Sequence, residues 1–401
     1  MIRKLSLVCA VGLAAAMLAG CPPPPVDQTT GNSGTSTPGS DLSGTLKIGH
    51  FASLTGNTAM FGQTTDNGVK LAAEEISGSG NLKVDVTTLD DQSQQAQAPL
   101  VVNRLISQYQ VNAIVGEVAS SRSIAAAQVV DPARVPMVSP SSTNPDVTVD
   151  PRSGLTRPYV FRVCFTDPFQ GRVMGQFVRE HLKLSRAAVL KDVKNAYSVG
   201  LANGFRDYFT QNGGQIVAEE AYSEGDADFR SQLTRIQGLN PEVLVIPGYY
   251  REAGLIIQQA RTLGLQVPVV GGDGWDSPTL TSVGAQYFTD CYFSNHFSPE
   301  EDRPEVKEFV EAYRRKFNEE PNALAALGYD SVKLVVDAAR RAGSMERQAI
   351  RDALEQTKEF NGVAGRVSID AQHNPVKSAV VVKVEERDGK AVFPLVTTIA
   401  P

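Results

Sequence analysis

The chain has little of what most enzymes and nucleic-acid-binding proteins display. It carries 4 histidines in 401 residues. These are His50, His181, His296 and His373, and their spacing groups none of them as metal ligands. No G-x-G-x-x-G follows the first strand-like segment, so the dinucleotide fingerprint is missing. G-x-x-x-x-G-K-[ST] and G-x-S-x-G are also absent, which removes the phosphate loop and the nucleophile elbow. We expect no enzyme, no cofactor and no resident metal. The net charge is −6, and no basic run interrupts the body of the chain, so nucleic acid is excluded as a partner.

What is present points to an exported two-domain protein. At 401 residues the chain is too long for one ordinary core. Hydrophobic residues at 42% and charged residues at 20% mark a soluble globular composition. The one long apolar run, Leu5–Leu18, follows Arg3 and Lys4 and is too short for a permanent span. It ends in Leu18-Ala19-Gly20-Cys21, which resembles a bacterial lipobox. Residues 1–20 are therefore expected to be a lipoprotein signal peptide and Cys21 the lipidated residue; the other reading is an ordinary signal peptide with a chance cysteine. Residues 21–44, rich in Pro, Gly, Ser and Thr, have almost nothing to bury and should form a disordered tether. Cys9 leaves with the leader, so Cys164 and Cys291 are the thiols of the mature fold.

The stretch from Val115 to Asn144 organises the rest. Two apolar runs, Ala113–Val115 and Val135–Val138, read as short buried strands. The first is followed by Ser120, Ser121 and Ser123, the second by Ser139, Ser141, Ser142 and Thr143. Between them Ile124–Val130 reads as a helix with serines where an N-cap belongs. A strand, a helix and a parallel strand bring both serine clusters to one carboxyl edge, where open α/β sheets bind ligands. Hydroxyls and free N–H groups at a helix start attract a carboxylate.

Strands at Leu46–Phe51 and Leu82–Leu89 with helices at Val69–Ile76 and Ala96–Tyr109 precede this stretch, and Tyr159–Phe165 follows it. Beyond Asp167-Pro168 a second β/α series starts afresh. Three helices, Pro304–Phe317, Asn322–Arg341 and Glu346–Gln356, come late in the chain, so it should cross between lobes more than once.

The chain resembles the type I periplasmic solute-binding proteins, in particular the leucine/isoleucine/valine receptors of bacterial ABC transporters. The resemblance covers nearly everything after Gly44. It is carried by Leu54-Thr55-Gly56, Gly116–Ser121, Ser139–Pro145, Phe161–Phe165 with Asp167–Gly171, Gly248-Tyr249-Tyr250 and Gly271-Gly272-Asp273-Gly274. It implies an α/β fold of two doubly wound parallel-sheet lobes joined by a three-crossover hinge. The N-lobe would take 45–163 plus about 296–363, and the C-lobe 164–295 plus about 364–401.

By the same resemblance Ser120 and Thr143 would hold the carboxylate of an amino acid. Thr143 and the Ser141 carbonyl would hold its ammonium, with Asp273 completing that site from the other lobe. Tyr249 would lie beside the α-carbon, Tyr197 and Phe61 would form aromatic walls, and Tyr329 is carried over with them. Two departures stand out. Asp273 replaces the family's glutamate, and Asp91 with Ala119 occupies the positions of its disulfide. Cys164 and Cys291 fall on what should be adjacent hinge strands; they either pair or remain two buried thiols.

A zwitterion needs partners for both charges when buried, and the two lobes supply one each. The expected protein is a monomeric, lipid-anchored receptor on a bacterial membrane, facing the periplasm or cell exterior. Its partners would be ABC permease subunits, and its ligand an amino acid, a branched-chain aliphatic one foremost. An amide, urea or aromatic acid as ligand, or a sensor feeding a signalling partner, is the alternative.

Overall fold

Short runs of Val, Ile and Ala with no alternation are suited to strands covered on both faces, and they build two separate sheets. In the computed structural model, which describes residues 42–387 and 389–401, the first sheet has the order β2-β1-β3-β4-β5. Its strands are β1 (Gly44–Ala52), β2 (Leu82–Asp90), β3 (Ala113–Val115), β4 (Met137–Ser139) and β5 (Val160–Arg162). All pair in parallel. Helices α1 (Ala59–Gly78), α2 (Ala98–Ser107) and α3 (Ser120–Val130) connect them. The expected leader, Cys21 and all but the last residues of the expected tether lie outside the described residues. Gly44, the tether's last residue, is already the first residue of β1.

The second sheet follows α4 (Asp167–Gln176). Its elements are β6 (Arg186–Asp192), α5 (Ala196–Gln211), β7 (Gln215–Tyr222), α6 (Arg230–Gly238), β8 (Val243–Ile246), α7 (Tyr250–Thr262), β9 (Val269–Gly271) and β10 (Cys291–Asn295). The chain then returns to the first sheet with α8 (Pro304–Phe317), α9 (Ala323–Ala342) and α10 (Arg347–Glu355), plus the hairpin β11 (Phe360–Gly362) and β12 (Gly365–Val367). It ends on the second with β13 (Ala379–Lys383), a small hairpin of β14 (Glu385–Arg387) and β15 (Lys390–Val392), and β16 (Leu395–Ile399). The second sheet reads β16-β13-β10-β9-β8-β6-β7, with β13 and β16 antiparallel to their neighbours. Three segments, 163–166, 296–303 and 368–378, cross between the two lobes.

Helix α3 begins earlier than the apolar run suggests. Its N-cap is Ala119, which has no side chain to bond the first-turn amides, so Ser120 and Ser121 lie inside the first turn. The serines divide by role. Ser123, Ser139 and Ser142 are wholly buried and bond the backbone of Glu117 and one another, for instance Ser139 Oγ to Glu117 O at 2.8 Å and Ser123 Oγ to Ser142 Oγ at 2.7 Å. They set the register between the β3 and β4 loops. Arg162, also wholly buried, donates to the carbonyls of Ser142 at 2.6 Å and Asn144 at 2.9 Å.

Cys164 and Cys291 are both free and buried, so the bridge between them is not formed. β5 and β10 belong to different sheets. Cys291 also opens β10, five residues before the crossover, about 16 Å along the strand, whereas bonded Cβ atoms stand roughly 3.8 Å apart. The Cys164 thiol donates to Ser142 O and Cys291 lies beside Arg261. Burial pushes both thiols up to about 12.

Where the family's disulfide would stand, a hydrogen-bonded chain joins the loops instead. Ser53 Oγ is 2.7 Å from Asp91 Oδ1 and 2.8 Å from Glu117 Oε1. Glu117 also accepts from the Ala119 amide and pairs with Arg122 at 3.0 Å. One hydroxyl hydrogen cannot serve two carboxylates, so the second contact needs a proton on one acid. Burial, with the charge of Glu117 added, pushes Asp91 up to about 7. A carboxyl raised on folding stabilises the fold fully below its unfolded value near 4, and that contribution is lost as pH rises through 7. Asp91→Asn is neutral at every pH. Its thermal midpoint should therefore gain on that of the wild type as pH is raised from 6 to 8; parallel midpoints would refute the shared proton.

Candidate functional site

The carboxyl ends of the two sheets face each other. From the first lobe come Phe61 on α1, Val118 and Ser141 from the loops after β3 and β4, and Leu324 on the first turn of α9. From the second come Tyr197 on α5, Tyr249 after β8, and Asp273 and Gly274 after β9. These eight residues line one cavity of about 10 Å³, room for roughly one water. The lobes must part to admit anything larger.

On the first lobe's side, Ser141 Oγ is buried without a hydrogen-bond partner among the described residues, and Thr143 Oγ1 lies beside the buried Asp167 carboxyl. Ser120, also buried, accepts from the Asn144 amide at 3.2 Å. With no side-chain cap on α3, its first amides and partial positive charge are left for an anion. An orphaned hydroxyl in a buried site costs about 1–3 kcal/mol, so the Ser141 hydroxyl is the group on this side of the cavity with hydrogen-bonding capacity to spare.

The second lobe contributes the charge. Asp273 is 5% exposed. Its Oδ1 accepts from Gln170 Nε2 at 2.9 Å and its Oδ2 lies 3.0 Å from His296 Nε2. Asp167, wholly buried, has a carboxyl pushed well up by burial, and the charge of Asp273 adds to the shift. The glycines beside Asp273 are required by close packing. A Cβ on Gly271 would stand 2.1 Å from the Trp275 ring, and one on Gly272 2.5 Å from Tyr197 Oη. The aromatic wall is continuous: Tyr197 stacks on Tyr249 at 5.4 Å, and Phe61 meets Tyr249 edge-on at 5.3 Å.

Other contacts tie the two lobes directly. Asn144 Nδ2 donates to Ala196 O at 2.7 Å, and the Ala196 amide donates to Ser121 Oγ at 3.1 Å. Tyr250 Oη donates to Asn57 O at 3.1 Å. Asp276 Oδ2 accepts from the Ala323 amide at 2.8 Å, at the start of α9. The clamshell is shut.

A family model described as periplasmic binding protein matches residues 45–390. The Leu/Ile/Val-binding protein BraC3 of Rhizobium johnstonii is 31% identical over 327 residues, 80% of this chain and 87% of that one. The chain belongs to the periplasmic binding proteins of the Leu/Ile/Val-binding type. Among solved structures, the leucine binding protein LivK from Thermotoga maritima superposes with a TM-score of 0.83 at 39% identity, covering 89% of this chain and 99% of that one. The branched-chain amino acid transporter substrate binding protein LivJ from Streptococcus pneumoniae, in complex with isoleucine, gives 0.80 at 36%, covering 88% and 99%. This periplasmic binding protein is thus a substrate-binding protein of the ABC-type branched-chain amino acid transport family, an exported family whose members here are solute-binding proteins and not enzymes. Among the described residues no helix is long and apolar enough to cross a membrane.

Of the residues read from sequence, Phe61, Ser141, Tyr197, Tyr249 and Asp273 meet at the cavity, with Ser120 buried in the first turn of α3 and Thr143 buried in the loop after β4. Tyr329 is elsewhere. Its hydroxyl donates to Glu75 Oε2 at 2.6 Å, and it lines a separate groove of about 440 Å³ with Glu75, Phe309 and Lys333. The reason is helical geometry. Leu324 reaches the cleft from the first turn of α9; five residues on, the chain has risen ~7.5 Å and turned ~140°. Sequence reading also missed Gln170 and His296. Gln170 lay in a quoted motif, but only the fold brings it to Asp273. Gly272→Ala would press a methyl on Tyr197 and is expected to cost about 1–3 kcal/mol; an unchanged denaturation midpoint would show that the turn can yield.

Proposed function

We propose that the mature chain is the extracytoplasmic, lipid-anchored binding component of an ABC importer, closing its lobes on an amino acid, a branched-chain aliphatic one foremost. The observation that carries this reading is the opposition, across one small cavity, of the Asp273 carboxylate in one lobe to the unpartnered Ser141 hydroxyl in the other. Ser120, Thr143 and the start of α3 would receive the ligand's carboxylate, and Asp273 with the Ser141 carbonyl its ammonium. Phe61, Tyr197, Tyr249 and Leu324 would pack the side chain. The division into 45–163 plus about 296–363 against 164–295 plus about 364–401 is supported by sheet membership at its first two boundaries, while the hairpin of β11 and β12, packed with the first lobe, moves the third from about 363 to about 367.

Neither lobe alone satisfies a zwitterion, so the guest binds the shut form more tightly than the open one and shifts the population toward it. A charged hydrogen bond contributes roughly 1.5–3 kcal/mol net, enough to bias a hinge whose two states differ by a few. The shut clamshell would then be what permease subunits recognise, with one receptor acting as a monomer. The names of LivK and LivJ support a leucine- or isoleucine-like guest. The tetrapeptide ending in Cys21, Leu18-Ala19-Gly20-Cys21, supports acylation there, leaving the receptor tethered by its N-terminal lipid.

Two measurements test the reading. In calorimetry with L-leucine, Asp273→Ala should weaken binding about 10- to 150-fold with its circular dichroism intact. Tyr329→Ala should stay within about twofold of wild type. Leucine binding that survives in the Asp273 variant would overturn the assignment. Separately, Cys21→Ser should move the protein from the membrane fraction to the soluble one; retention on the membrane would remove the lipid anchor.

A further inference from the structure

We infer that His296, on the second crossover, is a positioning residue: its Nε2–H holds the Asp273 carboxylate in place while leaving the acid's negative charge uncancelled for a ligand ammonium. The inference rests on the ammonium assignment proposed above and adds a residue which that assignment did not contain.

For an Asp273 that carries the charge the proposed site assigns to it, the geometry fixes the histidine's state. An ionised carboxylate only accepts, so the 3.0 Å contact to Asp273 Oδ2 requires the hydrogen on Nε2. Nδ1 is buried with no partner. The ring lies flat against Phe165, with centroids 3.7 Å apart and planes at 25°. A second ring hydrogen would be a buried N–H with no acceptor, and the imidazolium would neutralise Asp273. Burial moves the imidazole below its ordinary value, against the pull of Asp273, in the direction the contacts demand. Gln170 Nε2 braces Oδ1 at 2.9 Å. Each carboxylate oxygen therefore meets a neutral donor, the Tyr197 hydroxyl lies within hydrogen-bond reach of the same acid, and none of these three groups cancels its charge.

The brace is anchored in the hinge. The amide of His296 donates to Asn295 Oδ1 at 2.9 Å, and Asn295 Nδ2 donates to Asp276 Oδ2 at 3.0 Å. That oxygen also receives the α9 amide of Ala323. Asp273 is thus held by the segment that moves when the lobes part. Phe165, against the ring, lies on the first crossover.

The other groups round this centre are Asp167 on α4, Tyr197 on α5, Asp276 in the Asp273 turn, Cys164 on the first crossover and Lys377 on the third. Burial pushes Asp276 up to about 6 and Lys377 down to about 8. Both titrate in wild type and variants alike, so a comparison at one pH isolates the imidazole.

The experiment is calorimetry with L-leucine on wild type, His296→Gln and His296→Phe, with thermal unfolding of each as a check on folding. Phenylalanine keeps the ring against Phe165 and loses the donor; binding at pH 7 should weaken about tenfold or more. Glutamine restores a neutral N–H donor and should recover most of that loss. Wild-type affinity in His296→Phe, or equal losses in both variants, would overturn the inference. If His296→Phe does not fold, His296→Ala takes its place beside His296→Gln. Failure of Asp273→Ala to weaken leucine binding would instead overturn the ammonium assignment itself.

Discussion

A carboxyl group held in a dry place is the constraint on which the cleft depends. Asp273 is almost fully buried, and an isolated charge there would be prohibitively costly. The fold meets the cost in two parts. Neutral donors from Gln170 and His296 occupy one position on each oxygen. The rest of the demand is left open toward the Ser141 hydroxyl, which the opposite lobe leaves without a partner. Under the proposed function, completion of that half-satisfied set drives closure, and it needs both lobes.

The shut form also has contacts that need no guest. Asn144 and Ser121 bond the start of α5, Asn57 bonds Tyr250, and Asp276 caps α9. Such bonds raise the fraction of closed protein before any solute arrives, and apparent affinity rises with that fraction. The net affinity of a clamshell receptor is thus set partly by residues that never touch the solute.

The same economy appears under α3. Relatives of this type are expected to carry a disulfide where this chain has Asp91 and Ala119. Here a serine between two acids, with Arg122 behind them, ties the loops. The chain replaces a covalent bond with a proton. The loop that presents Ser120 is held by a network whose protonation changes near neutrality, which a disulfide would not do.

The alternation of apolar strands and helices, the restart of the series after Asp167 and the three late helices were legible in the sequence, because burial on a sheet or helix face imposes a local period. The glycines around Asp273 and the hydroxyls after β3 and β4 were also legible as a site, since loops at the carboxyl ends of parallel strands converge whatever the details. Three-dimensional contacts decided the rest. They separated the structural Ser123, Ser139 and Ser142 from Ser141 and Thr143, put Tyr329 on the far side of its helix, and left Cys164 on the first crossover and Cys291 at the start of β10. They also brought His296 and Gln170 to one carboxylate. Local periodicity says which face of an element is buried; which distant side chain meets it depends on crossovers between lobes, and a linear pattern does not encode those distances.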